Sequence, residues 1–374
     1  MSSENSHLAG EHPDLPPPAT EVGVIGWINH NLFSSWTNRI ITVVTLYFLY
    51  IIIPPMLNWA FFDAVFVADS RDDCRAIAKA AGEELGACWA FIGKRFQIFV
   101  YGFYPVEERW RVDLSFIMMM AALIPVLFDN IPHRKLGLWY SLIAPAIICW
   151  LLIGGMGLNP VPTDKFGGLM LTMVIGVTGI VGSLPIGIAL ALGRQSHMPA
   201  LRMVCVTFIE FIRGVPLITL LFVASTMLNY FLPPGTTFDL LLRVLIMVTL
   251  FSSAYIAEVI RGGLQAIPKG QIEAADSMGL KYWQSMRLII LPQALKISIP
   301  GIVNSFIGLY KDTTLVIIIG LFDPLGMGRA SLADTKWQGL STEIYVFVAI
   351  FFFVSCFSMA RYSLYLEKKL YTGH

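Results

Sequence analysis

The chain has 374 residues, of which 56% are hydrophobic and only 14% are charged. Soluble domains usually carry about 25% charged residues and at most about half apolar residues. The composition therefore argues against a soluble enzyme and favours lipid as the solvent. The net charge of +1, from 26 Lys and Arg against 25 Asp and Glu residues, argues against nucleic acid as a partner.

The sequence predicts no catalytic residues and no metal site. The six histidines lie mostly in tails or charged loops, and the five cysteines are too few for a dense disulfide framework. The phosphate-binding pattern G-x-x-x-x-G-K-[ST] is absent, so we expect no ATP binding of the P-loop type by this chain.

Residues 1–35 are predicted to form a cytosolic N-terminal tail. Residues 1–21 are polar and acidic, and the first Lys or Arg is Arg39. A secretory signal requires a cationic start followed by an early apolar stretch, so we expect no such signal in this segment.

Eight apolar stretches predict membrane-spanning helices, because about 20 apolar residues cross the hydrocarbon core. In chain order they cover residues 40–62, 114–128, 138–158, 166–193, 214–232, 238–260, 297–321 and 344–364. The second stretch is short, and it spans only if its ends snorkel or the bilayer thins. The predicted fold class is an all-α polytopic membrane protein with about eight transmembrane helices.

The basic residues of the short loops favour an orientation with both termini in the cytoplasm. The predicted inner loops hold Arg134, Lys135, Arg194, Arg202, Arg261, Lys269, Lys281, Arg287 and Lys296, and Lys368 and Lys369 follow the last span. The short outer loops contribute only Lys165, Arg329 and Lys336. The first outer loop, residues 63–113, does not follow this distribution of basic residues, because it has seven Lys and Arg residues. It also carries nine acidic residues.

That outer loop has a helical pattern and two cysteines. Apolar residues recur at helical spacing at Cys74, Ile77, Ala81, Leu85, Cys88 and Ile92. One continuous helix would separate Cys74 from Cys88 by about 21 Å, which is beyond disulfide range. A disulfide therefore requires a chain break near Gly82 or Gly86, and the bonded and free-thiol alternatives both stay open.

The most informative segment is the predicted inner loop between the sixth and seventh spans. Strong helix formers at residues 271–278 predict two helical turns, and Gly279 is suited to end them. Pro268 and Gly270 mark a turn upstream. A short helix held between two spans, with Ala274 and Ala275 on its surface, is typical of close contact with another protein.

This segment resembles the EAA loop of the permease subunits of ABC importers. The family pattern of Glu-Ala-Ala, Gly, Ile and Leu-Pro falls, with every gap matched, on Glu273, Ala274, Ala275, Gly279, Ile289, Leu291 and Pro292. The resemblance implies a coupling helix that docks on a separate ATPase subunit. The residues expected to make that contact are Glu273, Ala274, Ala275, Asp276, Ser277, Gly279 and Leu280. The alternative is an ordinary helix on the membrane surface.

Three further segments resemble the polar amino-acid permeases. They are residues 210–217, 257–263 and 310–315, and the resemblance extends over about residues 166–371. It implies a five-helix core of the type I importers at residues 161–374, with the EAA loop at 261–296. Residues 36–160 are then an N-terminal extension of three transmembrane helices whose large periplasmic loop is 63–113. Length and layout resemble the longer permease subunit of the general L-amino-acid importers of Gram-negative bacteria.

The resemblance implies a multi-pass permease of the bacterial inner membrane that imports L-amino acids, either general and polar or acidic. The implied partners are a second homologous permease, two ATPase subunits that bind ATP and Mg, and a periplasmic amino-acid-binding protein. The permease itself then has no cofactor and is not an enzyme. Two alternatives stay open, namely an ion-coupled secondary transporter and a permease whose own substrate site is vestigial.

Charged residues within the spans supply candidates for the substrate path, because ionisable groups in a membrane are costly. Lys311 and Asp312 lie in the seventh span and are neighbours that point in different directions, so each is free to meet one charge of a zwitterionic amino acid. Thr313 and Glu258 complete the candidate set. The structural alternative is that Lys311 snorkels, that Asp312 bonds to a neighbouring helix, and that Glu258 pairs with Arg261. Glu210 and Arg213 have that same spacing and the same structural interpretation.

Overall fold

The computed structural model describes residues 23–82, 85–227, 230, 233 and 238–370. Most of these residues are helical, and within them only isolated bridges and no β-strand occur. The helices are α1 (Gly23–Leu32), α2 (Trp36–Leu57), α3 (Arg71–Ala81), α4 (Ala90–Tyr101), α5 (Arg109–Leu127), α6 (Arg134–Ile153), α7 (Gly168–Arg194), α8 (Pro199–Gly214), α9 (Leu217–Phe222), α10 (Leu240–Gln265), α11 (Lys269–Ser277), α12 (Tyr282–Ser285), α13 (Leu291–Asp312), α14 (Pro324–Ser331) and α15 (Ser341–Leu370).

Irregular helical segments extend several of these helices. Asn58–Phe62, Val223–Met227 and Met286–Ile290 are π-helical, and Val106–Glu108, Thr163–Lys165, Thr313–Ile319 and Thr335–Trp337 are 3-10 helical. In the described part of the chain, seven helices are long and apolar enough to cross a membrane, and an eighth span results if α8 and residues 217–227 are counted together. The predicted all-α polytopic fold class is confirmed.

The fifth predicted span, residues 214–232, differs from the structure. A bend of 101° separates α8 from residues 217–227. Val215 between them is extended, with φ −109° and ψ 132°, because a residue before proline is pushed out of the α-helical region. The helix therefore breaks at Pro216, and residues 228–229 and 231–232 lie outside the described residues.

The chain forms two compact units, of which the first comprises residues 1–66 and 73–88. It contains α1, α2 and most of α3. The Ser35 side chain caps α2 by accepting a hydrogen bond from the backbone N–H of Asn38 at 3.2 Å, and the Thr42 hydroxyl donates to the carbonyl of Leu32 at 2.9 Å. As far as the described residues show, none of the most apolar part of α2 is buried, as expected of a helix whose solvent is lipid.

The second unit comprises residues 67–72 and 89–374, and it includes the second and third predicted spans, α5 and α6, together with the later helices. The tight centre of this unit is the contact of α7 with α10 and α13. A Cβ added to Gly187 would lie 2.6 Å from Ile256, and one added to Gly179 would lie 2.8 Å from Leu309. Glycine at these positions therefore allows the helices to approach closely.

Helix α5 is longer than its apolar stretch. The prediction of a short span at residues 114–128 was wrong at its start, because the helix begins at Arg109. Arg111 is buried at 2% exposure. Its guanidinium pairs with the Glu108 carboxylate at 2.6 Å and donates to the Asn159 carbonyl at 2.7 Å. With this charge satisfied, 19 residues extend about 28 Å, close to the thickness of the hydrocarbon core.

Candidate functional site: the EAA loop and its charged neighbours

The predicted coupling helix is present as α11, between α10 and α12. It begins after Pro268 and ends in paired hydrogen bonds from Gly279 N–H to the Asp276 carbonyl at 2.9 Å and from Leu280 N–H to the Ala275 carbonyl at 3.2 Å. This is the Schellman arrangement, which places a left-handed residue after the helix. Gly279 has φ +71°, so the glycine predicted to end the helix does so.

The two alanines of the motif lie in different environments. Ala274 is exposed with Glu273 and Asp276, but Ala275 is fully buried within the chain. The prediction that both alanines are surface residues was therefore wrong for Ala275. Successive residues of a helix differ in direction by about 100°, and α11 rests on the π-helical segment Met286–Ile290. The small side chain at this position allows the helix to lie close to its own chain.

The remaining predicted contact residues are partly engaged by the helix itself. The Ser277 hydroxyl donates to the Glu273 carbonyl at 2.8 Å, and Leu280 is half-buried. Beside α11, the rings of Tyr282 and Trp283 are exposed and meet edge to face at 5.3 Å. The exposed surface of the EAA loop thus combines charged residues of α11 with the exposed apolar residues Ile272 and Met278 and with the adjoining aromatic pair.

Lys311 and Asp312 lie at the end of α13, where the helix changes type. Residues Thr313–Ile319 form a seven-residue 3-10 helix, which is longer than the usual three or four residues and is a feature that often accompanies a functional hinge. Lys311 is exposed and Asp312 is half-buried. In the described part of the chain, neither charged group is in an ion pair within 4 Å.

Thr313, the third candidate on this helix, is turned inward. It is 1% exposed, and its hydroxyl donates to the Tyr310 carbonyl at 2.8 Å. The neighbouring Thr314 hydroxyl donates to the Lys311 carbonyl at 3.0 Å. Both threonine hydroxyls thus donate to a carbonyl of their own turn. Lys311 and Asp312 are the charged side chains of this segment that can contact a ligand.

Glu258 is surrounded by arginines from three helices. It pairs with Arg261 on α10, and its second carboxylate oxygen lies 3.3 Å from Arg194 of α7 and 3.7 Å from Arg213 of α8. Glu210 pairs with Arg194 at 2.9 Å, so its predicted pairing with Arg213 was wrong. The sequence spacing identified only the partner on the same helix, because contacts between helices leave no periodic signal.

In the first compact unit, Cys74 and Cys88 are joined by a disulfide with a Cα–Cα distance of 6.1 Å. Helix α3 ends at Ala81, and Gly82 has φ +75°. The break in the helix at this glycine brings the two cysteines together. The returning segment is further held by the N–H of Ala87, which donates to the Trp59 carbonyl at 2.7 Å.

The family of binding-protein-dependent transport system inner membrane components matches residues 183–371. The chain belongs to this family. The matched region includes helices α8 to α15 and therefore the whole EAA loop, whereas α1 to α6 lie outside it.

Two relatives extend over almost the full chain. The inner membrane amino-acid ABC transporter permease protein YhdY of Escherichia coli is 49% identical over 97% of this chain and 97% of its own length. The glutamate/glutamine/aspartate/asparagine transport system permease protein BztC of Rhodobacter capsulatus is 48% identical over 96% of each chain. Among solved structures, a crystal structure of an amino acid ABC transporter with histidines is 29% identical, with a TM-score of 0.48, over 54% of this chain and 92% of its own.

Proposed function

We propose that this chain is the permease subunit of an ATP-driven ABC importer for L-amino acids. In this role it assembles with a second permease, two ATPase subunits that bind ATP and Mg, and a periplasmic amino-acid-binding protein. Membership of the transport family supports the class of protein. The relatives that match the whole chain are named as amino-acid permeases, which favours amino acids as the substrate class.

The exposed face of α11 is the observation that carries this proposal. Glu273, Ala274 and Asp276 are exposed, whereas Ala275 is fully buried and the helix contacts the segment Met286–Ile290. A helix held in this way moves as a body with α10 and α12. Contacts with an ATPase that differ between its nucleotide states can therefore shift the permease between two conformations.

The charged pair of α13 supports an amino acid as the cargo. A zwitterion presents a carboxylate and an ammonium group, and Lys311 and Asp312 offer the opposite charges without an ion-pair partner in the described residues. An unpartnered charge in a membrane is costly, and substrate would satisfy both. In this proposal Thr313 positions the pair by fixing the turn that follows it.

The proposed organisation keeps the boundaries expected from the sequence. Residues 1–35 form a cytoplasmic tail, 36–160 an extension whose loop 63–113 is periplasmic, and 161–374 the transport core. Both termini are then cytoplasmic. The Cys74–Cys88 disulfide supports a periplasmic position of this loop, because disulfides persist in the oxidising periplasm and are rare in the cytosol.

The test is uptake of labelled glutamate, glutamine, aspartate and asparagine by the complete complex in proteoliposomes. We expect uptake that requires ATP, and Asp312→Asn to reduce it at least about tenfold, because contacts to charged groups contribute roughly 1.5–3 kcal/mol. Asp164→Asn, which removes an exposed carboxylate from the loop before α7, serves as the control.

Two outcomes would contradict the proposal. Uptake that ionophores abolish and ATP depletion leaves unchanged would assign the chain to the secondary transporters. Normal uptake and an unchanged substrate range in Asp312→Asn would remove the charged pair from the substrate path. Making the corresponding variants separately in the partner permease then identifies which subunit holds the amino acid.

A further inference from the structure

Two helices of the transport core, α7 and α8, end beside one carboxylate of a third helix, α10. Arg194 is the last residue of α7, and Arg213 is the penultimate residue of α8. Arg261 lies one turn after Glu258 on α10. All three guanidinium groups lie within 4 Å of the Glu258 carboxylate. The Glu258 side chain is 20% exposed and that of Arg194 is 17% exposed, so water and salt screen this contact less than they screen a surface pair.

The helices joined at Glu258 lead to different parts of the molecule. Helix α10 continues into the EAA loop, which begins at Arg261. Helix α8 continues through Val215 into the 101° bend that starts residues 217–227. Arg194 strengthens the link, because it also bonds to Glu210 of α8 at 2.9 Å. The carboxylate thus lies between the EAA loop, which an ATPase would move, and the bent pair, which we define as α8 together with residues 217–227.

We infer that Glu258 is a positioning residue of the transport cycle, which clamps α10 to the ends of α7 and α8 so that displacement of the EAA loop also moves the bent pair. The inference rests on the proposed function. It assigns Glu258 a role in coupling rather than in contact with the amino acid, since its two oxygens already face guanidinium groups. Removing this charge leaves three arginines close together without their shared counter-charge, which weakens the link between the helices.

The experiment compares Glu258→Gln with the wild-type complex in proteoliposomes, and it measures amino acid imported per ATP hydrolysed. We expect this ratio to fall about tenfold while ATP hydrolysis continues, a combination that a purely structural role does not predict. Glu258→Asp keeps the charge, and we expect it to recover part of the ratio. Arg213→Gln should lower the ratio similarly, and the double variant with Glu258→Gln should be no worse than either single variant.

A matched control is available in another charged cluster of the same unit. Asp129 pairs with Arg134 at 2.6 Å and with Lys369, and it joins the α5–α6 turn to the end of α15 without touching the EAA loop. Asp129→Asn should leave the ratio unchanged. An unchanged ratio in Glu258→Gln, an equal fall in Asp129→Asn, or additive losses in the double variant would overturn the inference.

A second measurement keeps Glu258 in place and so does not depend on how its variants fold. Spin labels are attached at Phe211→Cys on α8 and Gly262→Cys on α10, two exposed positions, after Cys149, Cys205 and Cys356 are replaced. If α8 and α10 move together, their label distance stays within about 2 Å between the resting and ATP-trapped complexes. A larger change would overturn the inference. Failure of the proposed function would appear differently, as the absence of ATP-dependent uptake by the wild-type complex.

Discussion

Asp323 is a buried carboxylate that caps a helix. One of its oxygens accepts a hydrogen bond from the Gly326 N–H at 2.8 Å, which caps α14, and the side chain is fully buried. Burial raises the pKa of Asp323 to about 6, because removal from water disfavours the charged form. Its other oxygen has no hydrogen-bond partner in the described residues. The folded state therefore favours the protonated form of Asp323 more than the unfolded state does.

This raised pKa predicts a pH dependence of stability with a definite sign. The contribution of Asp323 is fully present below the unfolded value of 3.8 and is lost as pH rises through about 6, with a loss on the order of 3 kcal/mol. Asp323→Asn keeps a capping side chain and should remove this dependence. The check is the difference in unfolding temperature between wild type and variant at several values from pH 4 to pH 7.

The control for that series is Asp69→Asn, in which the lost carboxylate is exposed. The pKa of Asp69 is lowered by the hydrogen bond from Lys94, so the charged form is the favoured one at this site. The Asp69 variant should therefore keep the wild-type loss of stability between pH 4 and pH 6. If the curves of wild type and Asp323→Asn run parallel over this range, the assignment of the dependence to Asp323 is wrong.

The adjacent alanines of α11 predict two distinct effects of the same substitution. Ala275→Leu adds a large side chain at a fully buried position and should lower the stability of the chain by about 1–3 kcal/mol. Ala274→Leu changes an exposed position and should stay within about 0.5 kcal/mol, while it weakens association with the ATPase. Thermal unfolding of the isolated chain and pull-down of the ATPase separate the two. Equal stability losses would contradict this division of roles.

At the scale of elements, the disulfide fixes the return of the chain after α3. Cys74 and Cys88 close a loop of about 15 residues, for which the chain-entropy effect is roughly 3 kcal/mol. Replacing both by serine should make the segment between Trp59 and Cys88 sensitive to limited proteolysis. Cys149→Ser, at a free exposed cysteine, should leave the protease resistance unchanged. Detection of two free thiols at these positions by mass mapping without reduction would contradict the prediction.

Another feature at this scale is the close approach of α7 to α10 and α13. Because a side chain at Gly187 would collide with Ile256, the central helices hold a fixed separation. Helix α8 packs on this centre through the buried residues Ile209 and Ile212, whereas α11 contacts the short segment Met286–Ile290. A transport cycle that moves α11 can therefore shift peripheral helices while the centre of the unit keeps its packing.

For the whole molecule, the proposed orientation predicts opposite accessibility of two exposed lysines. Lys165 lies in the loop before α7 and Lys281 in the EAA loop. In a background without free cysteines, an impermeant maleimide should label Lys165→Cys in intact spheroplasts and Lys281→Cys only after permeabilisation. Labelling with the reverse pattern would show that the orientation is opposite to the proposed one. The EAA loop would then lie on the periplasmic side, where a cytoplasmic ATPase cannot contact it.

Local signals in the sequence were sufficient for some of these features. Pro268 and Gly279 delimit α11 because each restricts the backbone at its own position. Most of the spans follow from apolar length alone, but the fifth does not, because its helix breaks at Pro216. The start of α5 was missed because Arg111 depends on the distant carbonyl of Asn159. The partners of Glu258 were missed for the same reason, since Arg194 and Arg213 reach it from other helices.

The exposure of α2 has a consequence for tolerance to mutation. Since none of its most apolar part is buried within the described residues, little packing inside this part of the chain constrains the shape of the side chains there. Leu46 and Val43 are more than half exposed, so we expect exchange of Leu46 for Ile or of Val43 for Leu to be tolerated as long as the helix stays apolar enough for lipid. In a saturation screen, this helix should accept almost any apolar residue and reject charged ones, whereas α10 should discriminate among apolar residues by volume.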